Sequence, residues 1–221
     1  MMRRSLLQLV GLSGVSTLLS GCWLFPAQWN SKLTVTVSTP HGEVSGSAVR
    51  WHQFSEDPVL PQGHYEQRGE AVVVEVSSGR YLFVLLDERK PHDLSVFFPG
   101  NPRSSTTYDL ADLKGKKVDI TNSAQVPMMV TFANIADPKS VKQVNDLAGA
   151  FGAGYNLKSI TLEITDDKVT EGVVEKVLPW IIGFKGRILS PDLRLGAGLH
   201  NASDVLPIEK LNRSNFVEAQ Q

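Results

Sequence analysis

Ala71-Val-Val-Val-Glu-Val76 and Tyr81-Leu-Phe-Val-Leu-Leu86, separated by Ser77-Ser-Gly-Arg80, form the stretch that decides the fold of this 221-residue chain. Both runs are rich in β-branched and aromatic residues, which favour strands. The residues between them include the glycine that a tight turn uses. The stretch therefore predicts a β-hairpin. Because apolar residues follow one another almost without interruption, we expect its strands to be covered on both faces.

A second hairpin is predicted upstream of this stretch. Apolar and polar residues alternate from Leu33 to Val37, which is the pattern of a strand with one buried face. Thr39-Pro-His-Gly42 supplies turn residues, and residues 43–51 are predicted to be the returning strand. Residues 55–68 are polar and contain two prolines, so we expect a loop there.

The rest of the chain predicts four further strands, of which the first two are weaker, and one or two short helices. The strands are Leu94–Phe98, Lys117–Thr121, Pro127–Phe132 and Leu157–Ile164. One helix is predicted to begin at Asp137-Pro138, an N-cap followed by proline at the first position, and to end at Gly149. The other is predicted at Thr170–Leu178, before Pro179.

These elements predict an α+β, mainly β fold: an antiparallel sandwich or half-open barrel with one or two short helices, after an N-terminal signal peptide. We expect a single β-rich domain over residues 32–221. Its last part, residues 183–221, is weakly patterned, and we expect the final fifteen or so residues to be loosely held.

The N-terminus has the three parts of a secretory signal. Arg3 and Arg4 precede a mostly apolar stretch, Leu6–Leu19. At ~1.5 Å per residue this stretch spans roughly 21 Å, short of the ~30 Å hydrocarbon core of a bilayer. Its length therefore favours a signal peptide over a permanent membrane span.

Leu19-Ser20-Gly21-Cys22 resembles the lipobox of bacterial lipoproteins. The resemblance implies cleavage between Gly21 and Cys22, a diacylglycerol on the Cys22 sulfur and an N-acyl chain on the new N-terminus. Residues 1–21 would then be the signal peptide and residues 22–31 a lipidated tether. An ordinary cleaved signal and a chance cysteine are the alternatives. Beyond these covalent acyl chains, no cofactor is expected.

Two details of export and location stay open in this interpretation. The paired arginines loosely resemble a twin-arginine export signal, and they also occur in ordinary signal peptides. Trp23 follows the cysteine instead of the aspartate that favours inner-membrane retention in enterobacteria, so the resemblance implies a periplasm-facing anchor, in the outer membrane rather than the inner. Trp23, Phe25 and Trp29 either rest in the membrane interface or pack on the domain.

The stretch from Met129 to Pro179, with VTFANIADPKSV and VTEGVVEKVLPW, is similar to uncharacterised proteobacterial proteins. No activity is attached to those proteins, so the similarity implies no function.

An acidic cluster is the strongest candidate site in the body of the chain. Its members are Glu163, Asp166, Asp167, Glu171 and Glu175. Paired carboxylates hydrolyse glycosides, and carboxylates also bind calcium, although the regular calcium-loop spacing does not occur here. A solvated turn leading into a helix is the simpler interpretation, because acidic residues stabilise helix N-termini.

The sequence gives no support for metal binding, phosphate binding or nucleic-acid binding. The five histidines are spread along the chain without metal-ligand spacing, and we expect them on the surface or in loops. The glycine-rich segment Gly149–Gly154 follows a predicted helix and precedes a strand, the reverse of a phosphate-binding loop. The net charge of −1 argues against a nucleic-acid surface. We therefore predict no catalytic residues and no metal ligands.

The sequence favours a non-enzymatic envelope lipoprotein, anchored to the membrane by lipid, that binds or scaffolds an envelope protein partner. One alternative is a lipid-anchored periplasmic hydrolase that uses the acidic cluster. Another is a lipoprotein of phage or plasmid origin that modifies the host envelope.

Overall fold

The computed structural model describes residues 27–56, 63–86, 98, 110–123, 126–185 and 211–218. Strands dominate these ranges. They are β1 Ala27–Thr39, β2 Gly42–Glu56, β3 Gly63–Glu70, β4 Val72–Ser77, β5 Arg80–Val84, β6 Lys117–Asp119, β7 Met129–Phe132, β8 Val141–Gln143, β9 Asn156–Thr165 and β10 Val217–Glu218. The α-helices in the same ranges are α1 Leu110–Leu113, α2 Leu147–Phe151 and α3 Val173–Val177, with 3-10 turns at Pro138–Ser140, Pro179–Ile181 and Arg213–Asn215.

The strands form two antiparallel sheets. One has six strands in the order β10-β3-β2-β1-β9-β6, and the other has four in the order β4-β5-β7-β8. The hairpin β1–β2 is the centre of the larger sheet and pairs without interruption from Ala27 opposite Phe54 to Thr39 opposite Gly42. The chain passes from the larger sheet to the smaller one through Ala71, which lies between β3 and β4.

The backbones of the two sheets come close together where β4 passes beneath β2 at Gly46. A Cβ atom added at Gly46 would overlap the carbonyl oxygen of Val73. A residue with a side chain would hold the two backbones apart, so glycine is required at this crossing.

Two hydrophobic cores lie on the two faces of the smaller sheet. Leu82 and Val84 of β5 belong to the core between the sheets. Phe83 and Leu85 point the other way, into a core closed by α3 and the 3-10 turns. The hairpin that decides the fold is therefore covered on both faces in β5, as its continuous apolar sequence predicts.

The predicted fold class is confirmed. The chain is mainly β, with two antiparallel sheets packed as a sandwich, short helices and no closure into a barrel. Both predicted hairpins, the strands near residues 117, 129 and 157 and the helix before Pro179 are present in the structure. The predicted strand Leu94–Phe98 lies outside the described residues except for Phe98, which is buried.

The predicted loop at residues 55–68 is wrong at both ends, because residues 55–56 belong to β2 and residues 63–68 to β3, and residues 57–62 lie outside the described residues. β3 begins at Gly63 and pairs antiparallel with β2, with Tyr65 opposite Phe54 and Arg68 opposite Trp51. The inward side chains of β3 are polar and are held by hydrogen bonds, so the strand lacks the apolar alternation that reveals a half-buried strand in a sequence.

The predicted helix from Asp137 to Gly149 is also wrong. The Asp137 side chain does accept a hydrogen bond from the Lys139 N–H, but it caps a single 3-10 turn that leads into β8. Val141 and Val144, spaced as on one helix face, instead enter different cores on opposite sides of the sheet. The helix in this region is α2, whose N-cap is Asp146.

The ends of the domain differ from prediction as well. β1 begins at Ala27, so residues 27–31 of the predicted tether belong to the sheet, and Trp29 packs in the core with 8% exposure. Trp23 and Phe25 lie outside the described residues. In the weakly patterned C-terminal part, the expectation of a loose end is wrong for residues 211–218, because Leu211 and Phe216 are fully buried.

Candidate functional site

The predicted acidic cluster lies at the end of β9 and along the segment that follows it. This crossover segment, Asp166–Gly172, runs over the outer face of the larger sheet. The side-chain amide of Asn30 donates to the Asp167 carbonyl at 2.9 Å, and the Lys32 ammonium lies 3.1 Å from the Asp167 carboxylate. Both partners are outward-facing residues of β1, so the segment crosses that strand on the side away from the core.

The crossover segment docks on the far edge of β2. The Thr170 N–H donates to the Val49 carbonyl at 3.0 Å, and the Val49 N–H donates to the Thr170 hydroxyl at 2.8 Å. β1 occupies the other side of Val49. β3 pairs with β2 only from Trp51 onward, so Thr170 takes the place beside Val49 that the next residue of β3 would occupy.

A buried carboxylate holds the end of the segment. Glu70, only 2% exposed, accepts hydrogen bonds from the N–H groups of Gly172, Val173 and Val174, the last two at 2.9 and 3.0 Å. These are the unpaired donors at the start of α3, where a negative charge is stabilising. Gly172 adopts φ +78°, a conformation that glycine takes without strain.

A buried arginine strengthens the same junction. Arg50, 5% exposed, donates to the backbone carbonyls of Glu70, Val84 and Leu85 at 3.1–3.2 Å. One guanidinium thus joins the end of β3 to the end of β5, using its several donors at once. Neither Arg50 nor Glu70 was predicted as a site residue, because single charges within strands look like surface residues in a sequence.

A groove of about 480 Å³ opens beside the crossover segment. Trp51 and Arg68, opposite each other on β2 and β3, form one wall, with the guanidinium carbon 4.4 Å from the centre of the indole ring. Glu171 and Glu175 line the groove from the segment and α3. The groove therefore combines an aromatic–cation pair with two carboxylates.

A second groove of about 350 Å³ lies on the other side of the crossover segment. It shares Trp51 with the first groove and is also lined by Gln28, Asn30, Lys114 and Asp166. Because Gln28 and Asn30 are near the start of β1, this groove is at the end of the sandwich where the N-terminal segment enters.

The structure divides the predicted acidic cluster into two groups. Glu163, Asp166 and Asp167 form ion pairs with Lys117, Lys114 and Lys32, respectively. Glu171 and Glu175 line the first groove together, and Asp166 lines the second. Three of the five carboxylates therefore belong to a charged surface network.

A buried hydrogen-bonded chain was missed by the sequence prediction. The Ser31 hydroxyl and the His52 Nε2 atom are 2.6 Å apart, and the His52 Nδ1 atom and the Tyr65 hydroxyl are 2.6 Å apart. The Tyr65 hydroxyl donates to the Gln67 side-chain oxygen at 3.2 Å. Because the Tyr65 hydroxyl donates its hydrogen to Gln67, it must accept a hydrogen bond from the His52 Nδ1–H group. The His52 Nε2 atom is then unprotonated and accepts a hydrogen bond from the Ser31 hydroxyl.

His52 also lies in an aromatic stack. Its ring centre is 5.2 Å from that of Trp29 and 5.9 Å from that of Tyr65, with the planes nearly parallel. The expectation that the histidines lie on the surface or in loops is wrong for His52, which is 6% exposed, whereas His41 and His64 are exposed. His92 and His200 are outside the described residues. The alternation of β2 places residue 52 on the same face as the apolar Ala48, which is buried, and this was the available signal.

Within the described ranges, no three or more His, Cys, Asp or Glu side chains are grouped to hold a metal ion. In the glycine-rich segment 149–154, residues 149–151 belong to α2 and residues 152–154 lead to β9. The segment precedes a strand, as predicted, but Gly149 lies inside the helix and does not end it. Gly21 and Cys22 lie outside the described residues. In the part of the chain that the structure describes, no helix is long and apolar enough to cross a bilayer.

Neither a protein-family model, nor a curated protein, nor a solved structure matches this chain. The function must therefore be argued from its own residues.

Proposed function

We propose that this chain is a membrane-anchored envelope lipoprotein, held by acyl chains on Cys22, whose β domain binds or scaffolds another envelope component without catalysing a reaction. The observation that carries the proposal is the segment Leu19-Ser20-Gly21-Cys22, at the end of an apolar stretch that follows two arginines. A diacylglycerol and an N-acyl chain together supply more than the single chain that gives only marginal membrane binding.

The start of β1 supports a close association with the bilayer. Ala27 is five residues after Cys22, and a fully extended chain of that length reaches at most about 18 Å. The end of the sandwich that holds Gln28 and Asn30 would then face the membrane surface, with the second groove beside it. Trp23 directly after the cysteine favours the outer membrane in the lipoprotein interpretation.

The first groove supports a binding role. Trp and Arg are the side chains most enriched where binding energy concentrates in protein interfaces. The contact between the Arg68 guanidinium and the Trp51 ring favours one arrangement of the two side chains, which lowers the side-chain entropy that a partner's binding would cost.

The anchor is tested by replacing Cys22 with serine. Wild-type protein should incorporate labelled palmitate, fractionate with membranes and carry the mass of residues 22–221 plus acyl chains. Cys22→Ser should lose all three properties. Ser20→Ala, which keeps a small residue before the cleavage site, is the matched control and should behave like wild type. A membrane-bound, fully processed Cys22→Ser protein would disprove the anchor.

The binding surface is tested in crosslinked envelopes. Trp51→Ala should reduce at least tenfold the yield of any partner that copurifies with the wild-type protein. Ile182→Ala, a change of an exposed apolar residue outside the groove, should leave that yield unchanged. Equal yields for the two variants would show that the groove is not the interface.

A lipid-anchored periplasmic hydrolase is the second candidate, because Glu171 and Glu175 line one groove. If this candidate is correct, Glu171→Gln and Glu175→Gln should each lower by at least a hundredfold the hydrolysis of purified cell-wall glycan by wild-type protein. Glu163→Gln, a change in an ion pair outside the groove, is the control. Wild-type protein without glycan hydrolysis would leave the binding module as the better proposal.

A further inference from the structure

In the part of the chain that the structure describes, about a third of the outer edge of β2, residues 43–47 of its fifteen, pairs with no other strand. β1 pairs with β2 along its whole length on one side. On the other side, β3 pairs only from Trp51 onward, and Thr170 covers Val49. Among the described strands, none pairs with residues 43–47 on that side.

The backbone of this segment points its hydrogen-bonding groups outward. In an antiparallel ladder, alternate residues turn their N–H and C=O groups to the same side. Val49 bonds Thr170 on the open side, so Glu43, Ser45 and Ser47 turn their backbone groups the same way. All three residues are exposed, since β4 passes under β2 on the inner face only.

The segment lacks the usual protection of an edge strand. Natural edges carry lysines, prolines or bulges that prevent another strand from adding. Glu43-Val-Ser-Gly-Ser47 contains no lysine and no proline, and its pairing with β1 shows no bulge. Its only charge, on Glu43, is 2.5 Å from the ammonium group of Lys158.

We propose that two copies of this chain pair through this edge, with their residues 43–47 antiparallel about a two-fold axis at Ser45. The edges are self-complementary in this register. Glu43 of each copy lies opposite Ser47 of the other, and the two Glu43 side chains are about 14 Å apart along the strands. That separation exceeds the Debye length of ~8 Å at physiological salt, so the two charges repel little.

Two further features of the β2 edge favour this register: the position of Thr170 and the small size of the side chains at residues 45–47. Thr170 on Val49 stops the partner strand from sliding toward β3. The small residues Ser45, Gly46 and Ser47 leave the backbones free to approach. Five paired residues form a small interface, and confinement to a membrane, which rests on the proposed function, raises the effective concentration of the two edges.

Disulfide trapping tests the pairing in full-length protein in its native membrane. In the proposed register the two Ser45 Cα atoms are ~5.5 Å apart, within the range of a disulfide. Ser45→Cys should therefore give a covalent dimer on mild oxidation. Thr36→Cys is the matched control: it lies opposite Ser45 on β1, one strand further from the axis, and should remain monomeric.

The outcomes separate the two proposals. If wild-type protein forms a disulfide-linked dimer through Cys22, that thiol is free and the proposed lipid anchor is wrong. The additional covalent dimer that Ser45→Cys forms over wild type still measures the proposed pairing. Equal dimer yields for Ser45→Cys and Thr36→Cys would overturn the pairing, as would trapping of Ser45→Cys on a different protein.

A proline variant provides a second measurement. Ser45→Pro removes an edge N–H and should convert detergent-solubilised dimers to monomers, while Ser45→Ala should stay dimeric. Circular dichroism reports whether Ser45→Pro remains folded, and if it does not, the disulfide experiment alone decides. A folded Ser45→Pro dimer would contradict the proposed pairing.

Discussion

The inner face of the β1–β2 hairpin has two halves that are stabilised in different ways. Toward the turn, Leu33, Val35 and Val37 are almost completely buried in an apolar core. Toward the other end, Ser31 and His52 are also buried but belong to a chain of hydrogen bonds. One continuous strand pair therefore changes from apolar packing to directional bonding within a few residues.

The difference teaches that burial alone does not define a core. Apolar packing is non-directional and tolerates changes that keep volume and hydrophobicity. A buried polar chain depends on each member having its partner, because an unpartnered polar group in the interior is costly. The two halves should therefore respond differently to substitution.

The largest expected effect compares consecutive inward residues of β1. Leu33→Ala should lower the free energy of unfolding by about 3 kcal/mol, because it removes a buried side chain and leaves a cavity. Ser31→Ala, in the polar half, should cost about 1 kcal/mol, the value of one hydrogen bond. Urea unfolding of both variants measures the difference. Equal losses would show that the two halves are not distinct.

Gly46 tests how tightly the apolar half is packed against the second sheet. Gly46→Ala should cost about 2 kcal/mol, because the added methyl group overlaps the Val73 carbonyl and the sheets must separate. Gly183→Ala is the control, since a Cβ there meets no atom within 4 Å. Thermal unfolding should place the control within about 0.5 kcal/mol of wild type. A neutral Gly46→Ala would mean that the sheets are less closely packed at this point.

A double-mutant cycle tests the cooperativity of the polar half. Ser31→Ala combined with His52→Phe should be less destabilising than the sum of the single changes by about 1 kcal/mol, because the two residues share one hydrogen bond. The pair Val35→Ala and Leu82→Ala provides the matching cycle in the apolar core. Strict additivity for Ser31 and His52 would argue against a coupled chain.

The smallest effect concerns an exposed hydrogen bond. The Thr121 hydroxyl and, to a lesser extent, its N–H donate to Asp119 and lower the pKa of that carboxyl below its ordinary value. Because the folded state favours the charged form, the resulting stabilisation is present above the unfolded pKa and is lost as pH falls through the lower folded pKa.

Thr121→Val should raise the Asp119 pKa toward its ordinary value, measured by NMR titration, and Thr121→Ser should leave it low. The Thr121 hydroxyl also accepts from the Ile160 N–H, so the pKa rather than stability is the specific measurement. An unchanged pKa in Thr121→Val would show that the hydroxyl is not its cause.

The sequence predicted the parts of the fold that depend on apolar burial. The hairpins around Gly42 and Gly79 and strand β9 follow from alternating or continuous apolar residues. β3 was missed because Tyr65 and Gln67 satisfy their inward positions by hydrogen bonding. The spacing of Val141 and Val144 favoured a helix because, without the sheet, nothing indicates that the two residues enter different cores.

The candidate site was predicted only in part. The acidic residues were found because they are close in sequence, but the lysines that pair with three of them come from distant segments. Glu70 and Arg50 became visible only once the chain had folded, since their partners are backbone groups that every sequence contains. Long-range pairing, which no local pattern encodes, accounts for what was missed.

The crossover segment also bears on how the chain folds. Its bonds join Thr170 to Val49 across 121 residues and Asp167 to Asn30 across 137. Contacts between such distant residues carry a large loop-closure entropy and slow folding. We expect the local hairpin β1–β2 to be native in the transition state and the crossover contacts to have φ-values near zero, which makes their attachment a late event in folding.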